Sequence, residues 1–431
     1  MKFNINEHYK SKNINKIEEM FGIVPKEREI FKNPDLTFLE NSQICYITGP
    51  SGSGKSVLGR LIQDTYQYKE VEKDFDVNVP IIDALDLSFS EALSALNMAG
   101  LSEAYLYLTP YEKLSTGQKF RFELAFAMTR DIDKILIDEY TAFLDRETAK
   151  IVSYMLQKIV RKGRKKLVII TGNDDLEDCI MPDIVVRFDD FSKITVSKVN
   201  RDEQIQPFEN DFTIKKGNYD DLFCLEKYHY FNGVKKGTLI RRNAEYYSLY
   251  YKDKLMGVLV TTSPYANTVS EENLMNINNS LRIIFRIIIH PKIRGIGGTR
   301  FLYNYILTKE KKILFIQSAM AVEHPFLSNL GMIELSYVDY KTNNGYQFLQ
   351  QLVESDFECE DAFSVATKLL GKTMWIEYVE YANLIGTTVK LTDLFFDEIV
   401  QNTFDKKDDL LLIMDILKPI AMRRYYYDNR L

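Results

Sequence analysis

Cysteine is scarce and scattered: Cys45, Cys179, Cys224 and Cys359 form neither a CxxC pair nor a metal-ligand grouping. That spacing excludes a sequence-readable zinc site and suits buried free thiols in a reducing compartment. Long apolar runs are also missing. "IIFRIIIH" and "LLLIMDILKPIAM" are interrupted by Arg, Asp or Lys, so neither approaches the ~20 apolar residues of a membrane helix. The opening "MKFNINEHYKSKNINK" carries charge without an apolar core, so no secretory segment is expected. A cytoplasmic location without a membrane partner follows as the expectation. Nor is there a basic excess: the net charge of -6 argues against wholesale binding to nucleic acid through charge. Basic residues instead gather locally, at 227–242 ("KYHYFNGVKKGTLIRR") and 290–300 ("HPKIRGIGGTR").

What is present fits a globular chain of two or three domains: 431 residues, 45% hydrophobic and 27% charged. "SQICYITGPSGSGKSVLGRLI" reads as a buried strand at Ile44 to Ile47, a glycine turn and a helix opening near Lys55. The G-x-x-x-x-G-K-S pattern makes Gly49, Pro50, Ser51, Gly52, Ser53, Gly54, Lys55 and Ser56 the expected ATP-binding residues. Successive N–H groups and a helix dipole favour phosphate, Lys55 reaches the β/γ-phosphates, and the Ser56 hydroxyl ligates Mg²⁺. Downstream, "KILIDEYTAFLD" delivers Asp138 and Glu139 at the end of an apolar strand. Adjacent strand residues face opposite sides. Asp138 is therefore expected to hold Mg²⁺, while Glu139 polarises the attacking water.

Between these motifs, "LSTGQKFRFELAFAM" resembles the signature of the ABC-type ATPase superfamily through Leu114, Ser115, Gly117 and Gln118, with Thr116 where glycine is commoner. The resemblance implies that Ser115, Gly117 and Gln118 contribute to ATP binding and that two chains enclose two ATPs head to tail. "FLDRET" resembles the following D-loop, with Asp145 as its acid. Two departures stand out. Gly172 and Asn173 occupy the place of a switch histidine, so Asn173 becomes the candidate γ-phosphate sensor; no clear Q-loop glutamine appears, Asp83 being the polar substitute. Slow or partner-gated hydrolysis is expected, and transport is disfavoured.

A polar run, "NRDEQIQPFENDF", marks a boundary near residue 205. Beyond it, "LRIIFRIIIHPKIRGIGGTRFLYNYIL" repeats strand, glycine turn and helix without a phosphate-reaching lysine. This segment resembles the acyl-CoA loop of the GNAT acyltransferase superfamily. Ile289, Arg294, Gly295, Ile296, Gly297, Gly298 and Thr299 are the positions that the resemblance assigns to acyl-CoA, with Thr299 departing from the last small residue of the pattern. The fused arrangement resembles ABC ATPases joined to predicted acetyltransferases, the second half being similar to Mom-type phage DNA-modification proteins. His229 and Tyr230 match a His-Tyr pair near the start of that fold and become catalytic candidates; His324 competes with His229, and Ser318 is a weaker candidate for orienting substrate. A nucleobase amine is a poor nucleophile, so a base within hydrogen-bond reach is required.

The expected architecture is α/β: an ABC-type P-loop ATPase domain at 1–205, a GNAT-like α+β acyltransferase domain at 206–345 and a mainly helical extension at 346–431. The implied cofactors are ATP, Mg²⁺ and acetyl-CoA or another acyl-CoA. The implied partners are a second copy of the chain and a nucleic acid, DNA before RNA. The alternatives are an ATP-dependent switch carrying a non-catalytic binding module, and acyl transfer to protein or tRNA. A role in holding single strands is open to Arg423, Arg424 and the three tyrosines that follow them.

Overall fold

The computed structural model describes residues 2–3, 11–22, 28–29, 35–189, 193–199, 207–229, 235–323, 325–338, 344–354, 359–403, 410–417 and 422–430. Tyr230, His324 and the expected boundary at 205 lie outside these residues. The chain divides into two units: Met1–Asn210 with Pro291–Ile296, and Asp211–His290 with Gly297–Leu431. Among the described residues, no helix is long and apolar enough to cross a membrane.

In the first unit, β1 (Ile44–Thr48) is buried along its whole length, as a strand of "ICYIT" covered on both faces must be. It runs parallel to β3 (Lys166–Ile170) on one side and β4 (Ile184–Phe188) on the other. β2 (Lys134–Ile137) lies parallel to β3, and β5 (Ile194–Lys198) closes the other edge antiparallel to β4. The five-stranded order is thus β2-β3-β1-β4-β5. Three helices matter for the site: α1 (Lys55–Tyr66) follows β1, α3 (Thr116–Thr129) precedes β2, and α4 (Arg146–Lys162) follows it. Ile135, Leu156, Leu167 and Val185 share one core beneath the sheet, while Leu58, Ile62, Val168 and Val186 share the opposite one. A small helical subdomain sits between α1 and α3. Its helix α2 (Phe89–Met98) starts on a Ser88/Glu91 capping box, and Phe75 packs edge-on against Phe122 and Phe126 of α3 at 5.0 and 4.9 Å.

The second unit is a seven-stranded mixed sheet. Its strands are β6 (Phe212–Lys216), β7 (Glu245–Tyr251), β8 (Lys254–Thr262), β9 (Leu281–Ile289), β10 (Ile313–Ser318), β11 (Ile333–Val338) and β12 (Met422–Asp428). Their order is β11-β12-β10-β9-β8-β7-β6. Among the described residues of this sheet, only β9 and β10 pair in parallel, over Leu281–Ile283 against Ile313–Phe315. After α5 (Tyr219–Leu225) and α6 (Glu272–Ser280), the crossover between them is helix α7 (Gly298–Lys309). Past Phe315 the two strands part: β9 continues along β8, while β10 continues along β12.

The tail expected to be mainly helical also supplies β12, which enters between β10 and β11. Tyr425 is fully buried and Arg424 is 3% exposed. Arg424 pairs with Glu380 at 2.6 Å, and Arg423 makes a two-pronged contact with Glu334 at 2.8 Å. Arg424 and Tyr425 are thus engaged within the unit, while Arg423 is partly exposed. Helices α8 (Cys359–Ile385) and α9 (Asp393–Thr403) cover the sheet, where Tyr378, Tyr381 and Phe396 join Leu281, Ile313 and Phe315 in one core.

Candidate functional site

The loop from β1 to α1 is shaped by its glycines. Gly49, Gly52 and Gly54 have φ of +146°, +77° and +102°, a region where side chains are strained. A Cβ at Gly49 would stand 2.7 Å from the Phe188 carbonyl oxygen, so the chain passes there only without one. Lys55 opens α1 and donates from Nζ to the carbonyls of Gly49 and Pro50, both at 2.7 Å. Burial pulls its ammonium below the ordinary lysine range, and the Asp138 carboxylate opposes that shift. Ser53 Oγ is buried without a hydrogen-bond partner among the described residues. A left-handed glycine cradle at a helix N-terminus, a neighbouring ammonium and an orphaned buried hydroxyl fit a bound phosphate chain.

β2 ends beside this cradle. Asp138 Oδ1 accepts the Glu139 N–H at 2.7 Å, and the chain then turns sharply, with φ of +51° at Glu139 and +61° at Thr141. Non-glycine residues in that region cost about 1–3 kcal/mol each and gather at functional sites. The turn is held by its neighbours: Tyr140 N–H donates to the Ile170 carbonyl at 3.0 Å, and Thr171 Oγ1 donates to the Tyr140 carbonyl at 3.1 Å. The Glu139 side chain is exposed and makes no hydrogen bond or ion pair among the described residues.

Ser115 caps α3 with a full capping box: its Oγ accepts the Gln118 N–H at 3.3 Å, and Gln118 Oε1 accepts the Ser115 N–H at 2.9 Å. The serine and glutamine side chains are therefore occupied in shaping the helix start. The N–H groups of Thr116 and Gly117 lie in the first turn, where no intrahelical acceptor exists. A Cβ on Gly117 would come 3.1 Å from Leu144 and 3.4 Å from the Phe143 carbonyl, so glycine permits close passage of the "FLD" turn. Asn173 presents its backbone rather than its amide to β1: its carbonyl accepts from the Tyr46 hydroxyl and, at 3.4 Å, from Thr48 Oγ1.

Asp145 caps α4 through Thr148. Sequence reasoning missed its second partner, Lys292, at 3.4 Å, which also reaches Glu147 at 2.9 Å. Burial alone would raise the Asp145 carboxyl; Thr148 and Lys292 together hold it below the ordinary range. Within this unit, Arg294 donates to the Ser102 carbonyl and to its Oγ at 3.2 Å. A Cβ on Gly295 would lie 2.2 Å from Met155 Sδ. Arg294 and Gly295 thus have packing partners within this unit. Gly297 differs. It caps α7 at φ +102°, and open space surrounds the position of its missing Cβ. Ile289 and Ile296 are buried.

The remaining transferase candidates are separated by role. His229 ends the short turn Glu226–Tyr228 and is half-buried, and His290 lies edge-on to Tyr228 at 4.5 Å. Ser318 Oγ accepts the Ala321 N–H at 3.2 Å and so caps the next turn. Among the described residues, no group of three or more His, Cys, Asp and Glu side chains is placed to hold a metal ion.

The strand-loop-helix cradle with an acidic strand end defines a P-loop nucleotide-binding unit. The N-terminal region is homologous to ATP-binding cassettes. It is 30% identical over 158 residues to the energy-coupling factor transporter ATP-binding protein EcfA2 of Mycoplasma mobile, covering 35% of this chain and 50% of that protein. It is 26% identical over 204 residues to the uncharacterized ABC transporter ATP-binding protein YvrO of Bacillus subtilis, covering 38% of this chain and 87% of that protein. The ribosome protection protein VmlR of Bacillus subtilis is 27% identical over 152 residues, 35% of this chain and 26% of that protein. Among solved structures, the cassette MJ0796 in a dimeric post-hydrolysis state with ADP and Pi aligns at a TM-score of 0.32 and 18% identity, covering 41% of this chain and 94% of that one. The chain spans half the length of EcfA2 and about a quarter of VmlR. No family model matches the chain.

Proposed function

We propose that the first unit binds and hydrolyses ATP. The observation that carries this reading is the juxtaposition of the glycine cradle and Lys55 with Asp138, followed by Glu139, at the end of β2. Mg²⁺, held by Ser56 and Asp138, would supply charge neutralisation for the β- and γ-phosphates. Lys55 positions the phosphates, the loop N–H groups orient them, and the Glu139 carboxylate accepts a proton from the attacking water. Lys55→Ala should remove nucleotide binding, read by loss of fluorescent ATP-analogue binding. Glu139→Gln should keep binding and reduce turnover at least a hundredfold. Equal turnover in Glu139→Gln and the wild type would assign the base elsewhere.

We further propose that the second unit is a GNAT-like transferase that modifies a nucleobase amine with an acyl-CoA-type donor. Support comes from the single parallel strand pair bridged by a glycine turn and helix, and from the open space before α7 at Gly297. His229 would serve as base, with Tyr230 beside it in the chain. Gly297→Glu fills the cradle; nucleoside mass spectrometry on DNA and RNA from cells making each form should show a new mass with the wild type alone. One observation favours a second reading, a non-catalytic module switched by ATP: Arg294, the only charged residue of the turn's motif, is engaged by Ser102. Under that reading neither pool gains mass.

A further inference from the structure

The parting of β9 and β10 opens a cavity of about 200 Å³ inside the second unit. Its walls come from Phe285 and Arg286 of β9 and Phe315 and Gln317 of β10, with Glu377 and Tyr381 of α8 across the gap. Arg242 enters from the turn before β7. The size is below the ~300–1,000 Å³ of drug-sized sites, so it suits a small metabolite.

The polar groups of this cavity are incompletely used. Arg242 Nε donates to the Ser263 carbonyl at 2.9 Å, while its terminal nitrogens have no hydrogen-bond partner among the described residues. A guanidinium fork in that state is matched by a carboxylate, which it grips in a two-pronged, planar contact. The hydroxyl of Tyr381, which lines the cavity, makes no hydrogen bond among the described residues. Arg286 lies over the Phe285 ring at 4.6 Å and adds a second positive charge. Against these stands one acid. Glu377 accepts from Gln317 Nε2 at 3.1 Å and lies 4.0 Å from Arg424, whose main partner is Glu380. An anion alone would meet the repulsion of Glu377; a ligand that also carries an ammonium would pair with it. Phe285, Phe315 and Met422 leave an apolar wall for a side chain.

We propose that this cavity binds a free α-amino acid with an apolar side chain, its carboxylate on Arg242 and its ammonium on Glu377. The proposal rests on the second unit alone and does not depend on the transfer reading. The test uses the full chain and each of the apolar L-amino acids as probe, with the matching des-amino carboxylic acid and amino acid amide as controls, measured by calorimetry. At least one amino acid should bind, its two analogues at least tenfold more weakly. Arg242→Gln should weaken binding at least tenfold and erase the preference over the amide. Glu377→Gln, at a partly exposed position, should erase the preference over the des-amino acid and serves if Arg242→Gln fails to fold. Absence of binding by every probe, equal binding of the analogues, or binding unchanged in the variant that folds would overturn the assignment.

Discussion

Asp183 ties three segments of the first unit together through one side chain. Its Oδ2 accepts the N–H groups of Gln43 and Ile44 at 2.7 and 2.9 Å and pairs with Arg161 Nη1 at 2.8 Å. It thereby fixes where β1 begins, five residues before the first glycine of the cradle. Burial alone would raise this carboxyl; the Arg161 contact and the two N–H groups outweigh it and hold the group below the ordinary range. A carboxyl lowered by folding stabilises above its unfolded pKa of about 3.9 and loses that contribution as pH falls through the folded value. Asp183→Ala leaves Arg161, itself 15% exposed, with the neutral acceptors of Met181 and Gln43 but without its paired acid, so the loss at neutral pH should be about 3 kcal/mol. Urea unfolding of both proteins from pH 7 downward should show the gap closing below pH ~4. A constant gap would mean that packing, not charge, is the origin.

At the scale of elements, close approach decides α8 against α9. A Cβ at Gly371 would lie 2.9 Å from the backbone N and Cα of Asp397, where a shift of backbone is unavoidable. Gly371→Ala should therefore cost about 1–3 kcal/mol through overpacking, despite alanine's higher helix propensity. The chain's single tryptophan reports on this locally, since Trp375 Nε1 donates to the Leu391 carbonyl at 3.3 Å just before α9. Its emission should shift to the red in the variant, and unchanged emission with unchanged stability would show that the helices adjust freely. A second element test concerns β12. Removing residues 418–431 exposes the facing edges of β10 and β11, so the truncated chain should aggregate where the full chain does not.

These same elements mark how far the sequence could be read. The nucleotide cradle was legible because its signal is local: strand, glycines, lysine and helix occupy one continuous stretch. So was the strand that carries Asp138 and Glu139, an apolar run ending in acids. β12 was not, because "MRRYYYD" takes its meaning from partners at Ile313–Ser318 and Ile333–Val338, which local pattern does not reveal. The contact made by Arg294 was hidden for the same reason: a glycine-rich turn does not reveal that its arginine meets a serine 192 positions away.

The whole molecule raises a question of stoichiometry that one chain leaves open. The cradle of β1–α1 and the capped start of α3 belong to one unit, and the ABC resemblance implies that each serves the ATP of a different copy. If so, the sites are composite, and damage to cradle and signature can be separated between chains. Lys55→Ala disables a cradle and leaves Ser115–Gly117 intact. Gly117→Asp places a carboxylate where the γ-phosphate of the partner's ATP would approach, and leaves its own cradle intact. Each variant alone should be inactive. Mixed in equal amounts with random exchange, half of the dimers hold one of each chain, and each such dimer has one sound composite site. ATP turnover should then recover to about a quarter of the wild-type rate, as closed two-fold assembly requires. Recovery should vanish on dilution, since the active species forms by association. A mixture as inactive as its components, with both variants folded and exchanging, would place cradle and signature in the service of the same nucleotide or make two sound sites obligatory; sedimentation of Glu139→Gln with ATP separates these, because only the second yields a dimer.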